Sequence, residues 1–250
     1  MTPQIPPPRH IDAGRGYSWW SESASWMFRD ISTLGLWIGM LLCVWVITMG
    51  LGLIPVLGHL AAQVLWFVFA GGLAIAARKT AQRANPQFGD LFSGFGPRAG
   101  ALVGGGSIVT VAVLVVFVAM MVIGVVAFFS ALWSGLSASP FDTPAFYLHG
   151  IGRTLLGLLF CLVLLMLISM AAWFAPALIV LNGVAPVDAL RASFVACQRH
   201  FLALLVYGIV WVVLVIVCFC TLGLGFLFLA PWMFLSTYAA FVDMFGDTSA

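Results

Sequence analysis

Apolar residues run through this chain in four long stretches that no Asp, Glu, Lys or Arg interrupts. The stretches cover residues 31–77, 99–141, 154–187 and 200–242. A helix that crosses a bilayer needs about 20 apolar residues, so the first and last stretches are each long enough for two. Glycine-rich turns divide these two stretches at 50–58 and at 221–225. The pattern therefore predicts six transmembrane helices.

The fold class that follows is all-α, a polytopic membrane protein. We predict spans at 32–53, 58–77, 104–132, 154–181, 201–220 and 225–244. A short segment of amphipathic helical periodicity precedes each pair of spans, at 18–30, 88–95 and 186–200. Such helices are typical of the headgroup layer, with their apolar faces turned inward. A short helix followed by two spans would occur three times, which indicates three repeats.

The predicted domain organisation is simple. Residues 1–17 contain a proline-rich run and no apolar core, so we expect a disordered cytoplasmic tail. Residues 18–246 form a single six-helix transmembrane domain in this interpretation.

Composition agrees with a membrane protein and excludes several other classes. Apolar residues make up 63% of the chain and charged residues 7%, whereas soluble proteins are about 25% charged. A soluble enzyme cannot cover its surface with so few charges. The net charge of +2 gives no electrostatic signal for nucleic acid, so we expect no nucleic-acid partner.

The positions of the basic residues predict the orientation. Nine of the ten fall on one side of a six-span arrangement, and Arg153 falls on the other. Loops rich in Lys and Arg are retained in the cytoplasm. We therefore expect both termini in the cytoplasm.

Seven basic residues would lie near the lipid headgroups at the cytoplasmic ends of the helices, and we call them the basic rim. They are Arg29, Arg78, Lys79, Arg83, Arg98, Arg191 and Arg199. Juxtamembrane basic residues attract anionic lipid, so membrane lipids are the expected partners. Two interpretations stay open. The rim binds lipid headgroups or a cytoplasmic partner, or its charges only set the topology.

The second span of each pair contains a residue that weakens a helix: Gly71, Pro176 and Pro231. Kinks at these positions would help six helices to pack. Alternatively, unwound backbone there would line a polar path, as in transporters with broken helices.

Residues that carry chemistry are scarce. We find no charged residue at the centre of a span, no nucleophile with a partner base and no metal-ligand spacing. The sequence thus predicts no catalytic, cofactor-binding or metal site, and no enzyme. Small residues at helical spacing, such as Gly35 with Gly39 and Gly100 with Gly104, predict internal packing or a homo-oligomer face. Trp19, Trp20, Trp26 and Trp37 predict an aromatic anchor at the membrane interface.

Four segments together resemble a family of bacterial six-span inner-membrane proteins that has no established activity. They cover residues 12–20, 54–58, 90–95 and 175–194. This family is distantly similar to the membrane domain attached to some glycerophosphodiester phosphodiesterases. The resemblance implies the topology, a bacterial origin and, with it, location in the bacterial cytoplasmic (inner) membrane, and it implies no catalytic residue.

The function predicted from the sequence is non-enzymatic: structural, envelope-organising or lipid-interacting. Two alternatives stay open. One is a channel or facilitator with a path along the kinked second spans, and the other is a subunit of a membrane complex that assembles through the glycine-rich faces.

Overall fold

The computed structural model of the protein describes residues 11–136 and 144–246, and the regular elements of these residues are helices. In chain order they are α1 (Arg15–Met27), α2 (Ile31–Gly52), α3 (Leu57–Ala81), α4 (Phe88–Phe95), α5 (Ala99–Leu136), α6 (Pro144–Trp173), α7 (Pro186–Arg199), α8 (Phe201–Cys220) and α9 (Phe226–Phe245). After a break at Phe174, α6 continues through Ala175–Ala177 and a π-helical turn, Leu178–Asn182. We call the residues 175–182 the α6 extension. Residues 1–10 of the predicted tail (1–17) lie outside the described residues, as do residues 137–143 and 247–250.

Six of these helices are long and apolar enough to cross a membrane, which confirms the predicted number of spans. They are α2, α3, α5, α6 with its extension, α8 and α9. The largest difference at a boundary is in α6, which begins at Pro144 and not at residue 154, and α5 begins at Ala99 and not at residue 104. Length and hydropathy are thus those of a multi-pass membrane protein.

The three predicted short helices are also present. Helix α1 begins at Arg15, three residues before the predicted start, and α7 begins at Pro186 as predicted. Helix α4 is a 3-10 helix that opens with a capping interaction, because the Asp90 carboxylate accepts a hydrogen bond from the Gln87 backbone N–H at 2.8 Å. The order of one short helix before each pair of spans agrees with the predicted repeat.

The described residues divide into two compact units, residues 11–107 with 170–246 and residues 108–136 with 144–169. The second unit consists of parts of α5 and α6. Its helices meet closely at Gly157, where a Cβ would lie 3.2 Å from the Ile123 side chain.

In the first unit, each short helix packs on the second span of a different repeat. Helix α4 packs along α3, α7 contacts the α6 extension, and α1 packs on α9. Each short helix thereby contacts the second span of the preceding repeat, and α1 closes the series by contacting the last. The second spans also meet one another, since α3 contacts both the α6 extension and α9.

Tryptophan side chains form part of this core. Trp19 and Trp20 of α1 and Trp37 of α2 are each at most 2% exposed. The predicted role as an anchor in the membrane interface is therefore wrong for these three. Their indole rings are covered by other helices of the same unit, because α1 packs on α8 and α9 and α2 packs on α3.

The spans differ in how much of their surface the protein buries. In α3 and α9, 44% of the most apolar segment is buried inside the protein, against 6% in α5 and in α6. Helices α5 and α6 expose large apolar residues such as Val115, Phe117 and Leu156. A soluble fold does not leave such helices bare, whereas lipid covers them without cost.

Candidate functional site

Two members of the basic rim are engaged inside the protein. The Lys79 ammonium forms an ion pair with the Asp90 carboxylate at 2.6 Å, which joins the end of α3 to α4. The Arg98 guanidinium donates a hydrogen bond to the Ile179 carbonyl oxygen at 3.0 Å. These side chains hold elements together in addition to any role at the membrane.

The other five members of the rim are not engaged in this way. Of the ion pairs formed within 11–136 and 144–246, none includes Arg29, Arg78, Arg83, Arg191 or Arg199. Four are exposed, and Arg78 is half-buried. Five cationic groups thus remain available for an external anion.

Backbone hydrogen bonding is broken near Pro176 and repaired by a side chain from α7. The Ser193 hydroxyl accepts a hydrogen bond from the Phe174 backbone N–H at 3.1 Å and donates one to the Met170 carbonyl oxygen at 2.8 Å. It thus stands between two groups that bond directly in an uninterrupted helix. A side chain inserted into the hydrogen-bond ladder, next to a proline, is an established cause of a sharp helix bend.

Arg98 completes the repair on the far side of Pro176. Beyond the π-helical turn, Gly183 has a φ of +74°, a backbone conformation that glycine adopts readily. A Cβ there would lie 2.2 Å from Nη1 of Arg98. The absence of a side chain at Gly183 therefore leaves room for the guanidinium that bonds Ile179.

At the other two predicted kink positions, Gly71 and Pro231, the helices α3 and α9 continue on both sides. Gly71 is buried in α3, and a Cβ there would lie 2.9 Å from the side chains of Leu102 and Val180. Pro231 is buried inside α9. Gly71 thus permits close packing, and the observed interruption is at Phe174 and Pro176.

A small cavity lies where the second spans meet. Its volume is about 60 Å³, and its lining includes Ala70 and Ala74 of α3, Phe174 and Pro176 at the break, and Thr237 and Phe241 of α9. Most of the lining is hydrocarbon. A channel along the second spans needs a continuous lining of polar groups. This cavity is lined mostly by hydrocarbon, so it does not favour the channel interpretation.

Sequence reasoning missed a polar cluster that fastens α1 to the end of α9. The Asp243 carboxylate accepts hydrogen bonds from Arg15 Nε at 2.8 Å and from the Trp19 indole N–H at 2.7 Å. The hydrogen bond to Asp243, more than any other influence, raises the pKa of Arg15. Arg15 and Asp243 both flank apolar stretches on the same predicted side, and this opposite-charge pair was the available signal.

Helix α7 also carries an inert thiol. Cys197 is buried beside the broken part of α6, where its Sγ lies 3.5 Å from the Met170 carbonyl oxygen. Burial raises the pKa of Cys197 to about 12. The thiol is therefore protonated at neutral pH and is a poor nucleophile or metal ligand.

Some glycines of the glycine-rich helix faces pack against another helix of the protein, and others have no neighbour there. A Cβ at Gly105 or Gly106 would lie 3.0 Å from the Phe67 side chain, so these two allow α5 to pack closely on α3. Gly35 and Gly100 have no neighbouring atom within 4 Å of a Cβ position. Internal packing thus accounts for only part of the small residues.

The part of the chain that the structure describes offers no cluster of metal-ligating side chains. No group of three or more His, Cys, Asp or Glu residues in 11–136 and 144–246 is arranged to hold a metal ion. Comparison of the chain with protein-family models, with curated proteins and with solved structures gives no match in any of the three. The resemblance described above therefore stays a prediction.

Proposed function

We propose that this protein is a non-enzymatic, multi-pass protein of a bacterial cytoplasmic membrane that holds anionic lipid through its basic rim. The observation that carries the proposal is the set of five rim arginines that form neither an ion pair nor, as Arg98 does, a side-chain hydrogen bond in the described residues. They lie at the ends of apolar helices and on or beside short amphipathic helices. Each juxtamembrane basic residue contributes about 1 kcal/mol towards anionic lipid.

Native mass spectrometry of the detergent-solubilised protein tests this proposal. After mixing with equal amounts of phosphatidylglycerol and phosphatidylcholine, we expect the protein to retain phosphatidylglycerol selectively. A variant with Arg29, Arg78, Arg83, Arg191 and Arg199 replaced by Gln should lose the preference. Equal retention of the two lipids by the unaltered protein would contradict the proposal.

A role as a subunit of a membrane complex is the second candidate. It is supported by Gly35 and Gly100, which have open space around them, since small residues let transmembrane helices approach closely. Cysteine crosslinking from Gly35→Cys in native membranes tests it. A crosslinked product supports assembly through this face, and monomer alone under oxidising conditions argues against it.

A further inference from the structure

We propose that the cavity between α3, the α6 extension and α9 is an acyl-chain site. The acyl chain in the cavity is part of one anionic phospholipid, and Arg78 binds the phosphate of that lipid. The inference rests on the proposed function, and it places the bound lipid at this cavity and at Arg78.

The cavity suits hydrocarbon in both size and lining. A void that holds one water needs about 10–15 Å³, so the 60 Å³ observed has room for a short run of methylene groups. Ala70, Ala74 and Pro176 present no hydrogen-bonding side chain to it. A polar solute would lose its hydration there without replacement.

The cavity also reaches the surface of the first unit. Trp173 is part of the lining and is 45% exposed, although its neighbour Phe174 is 1% exposed. In a membrane, the medium next to an exposed tryptophan on an apolar helix is lipid. An acyl chain can therefore enter the cavity without opening the core.

Arg78 stands on the cavity side of α3. Ala70, Ala74 and Arg78 are spaced by four residues, so they follow one stripe of the helix. Arg78 lies about 6 Å beyond Ala74 along the helix axis, in the last turn of α3. A phospholipid has the same arrangement: its charged phosphate lies at the membrane surface, and the first methylene groups of its acyl chains lie next to it, deeper in the membrane.

Arg78 is available, whereas its neighbour is not. Lys79 pairs with Asp90 at 2.6 Å, and none of the ion pairs in the described residues includes Arg78. A guanidinium binds phosphate through two parallel N–H groups and is weakly hydrated compared with an ammonium. Charge complementarity therefore selects an anionic lipid over an uncharged one.

Substitutions that fill the cavity test the proposal on the full-length protein, with phosphatidylglycerol as the probe in native mass spectrometry. Ala74→Leu should reduce the retained lipid about tenfold, because methylene burial in the cavity is lost. Ala177→Leu fills the same cavity from the α6 extension and should act alike. Arg78→Gln should reduce it about fivefold.

Two controls separate this site from general attraction. Ala61→Leu adds the same atoms at an exposed position of α3, and Arg153→Gln removes an exposed charge of α6 that does not belong to the basic rim. Both should retain lipid within about twofold of the unaltered protein, a smaller loss than one bound charge produces. The thermal midpoint of Ala74→Leu should stay equal or rise, since filling a cavity stabilises a fold.

The outcomes distinguish the two proposals. If the unaltered protein retains phosphatidylglycerol and both cavity-filling variants retain it equally well, the acyl-chain site is wrong and the basic rim stands. If the unaltered protein shows no preference for the anionic lipid, the proposed function fails, and the site with it. A loss confined to the cavity and Arg78 variants supports both.

Discussion

Ser193 shows how one hydroxyl permits a helix to break inside an apolar protein. Pro176 has no backbone N–H, and its ring displaces the helix before it. In lipid, a freed backbone group must find a partner within the protein. Ser193 supplies both a donor and an acceptor at the break, and Arg98 supplies a donor beyond it. The bend is therefore stabilised by residues distant in sequence.

Replacement of this hydroxyl is expected to destabilise the protein. Ser193→Ala leaves the Phe174 N–H and the Met170 carbonyl without the bridge between them, at a cost of about 1–3 kcal/mol. The measurement is the apparent free energy of unfolding in an SDS titration of detergent-solubilised protein. Ser25→Ala is the matched control, because the exposed Ser25 hydroxyl bonds only the carbonyl of Glu22 in its own helix. Equal effects of the two substitutions would contradict the assigned role.

The Asp243 carboxylate is a second residue whose role depends on a distant partner. Asp243→Asn removes the charge that Arg15 and Trp19 contact, and we expect a loss of about 1 kcal/mol for this partly exposed ion pair. The loss should shrink as salt is added. Thermal unfolding at low and high NaCl measures both effects.

Glu22→Gln serves as the comparison for Asp243. Glu22 also pairs with Arg15, at 2.8 Å, but both side chains are more than a third exposed. Its replacement should therefore change the thermal midpoint less than the replacement of Asp243. A larger effect at Glu22, or no dependence on salt at Asp243, would overturn this account.

At the scale of elements, close backbone contact explains why short helices stay on the spans. A Cβ at Gly72 of α3 would lie 2.1 Å from the Leu91 carbonyl oxygen, and one at Gly94 of α4 would lie 2.1 Å from the Val68 carbonyl oxygen. Each of the two helices therefore has a glycine at the point where the backbones approach each other. The Lys79–Asp90 ion pair adds a polar contact near the same interface.

A methyl group placed in this interface should separate the helices. We expect Gly72→Ala to lower the free energy of unfolding by about 1–3 kcal/mol, as for other overpacked interiors. Gly89→Ala in α4 is the control, because a Cβ there meets no atom within 4 Å. The SDS titration described for Ser193 measures both. A stabilised Gly72→Ala variant would show that α4 is free to move away.

At the scale of the whole molecule, helix length sets a testable topology. From Ala99 to Ser134, α5 is charge-free over 36 residues, about 54 Å of helix. The hydrocarbon core of a bilayer is about 30 Å thick, and spans tilt by no more than about 40°. Even at that tilt, α5 is long enough to bring Ser134 clear of the hydrocarbon.

An impermeant thiol reagent tests this topology in intact cells. Ser134→Cys should react from outside, because nine of the ten basic residues favour the cytoplasm for the opposite loops. Ser93→Cys in the exposed part of α4 should react only after permeabilisation, and the unaltered protein with its five cysteines gives the baseline. The reverse pattern would invert the proposed orientation.

Much of the fold was predictable because lipid makes simple demands on a sequence. Each span needs about 20 apolar residues. The lengths of the four charge-free stretches and the glycine-rich turns within two of them therefore predict six helices. The short helices were visible because their polar and apolar residues alternate with helical period. The buried positions of Trp19 and Trp20 were not visible, because a tryptophan in the interface and one in a core share the same sequence context.

The contacts that the basic residues make inside the protein were not predictable from the sequence. The sequence alone determined the helical class and the number of spans, since these follow from the transfer of residues between water and hydrocarbon. The tertiary structure decided that Lys79 and Arg98 are engaged, that Asp243 holds α1, and that the second spans enclose a cavity. Those outcomes depend on which distant residues meet. Hydropathy acts on each residue singly and contains no information about such pairs.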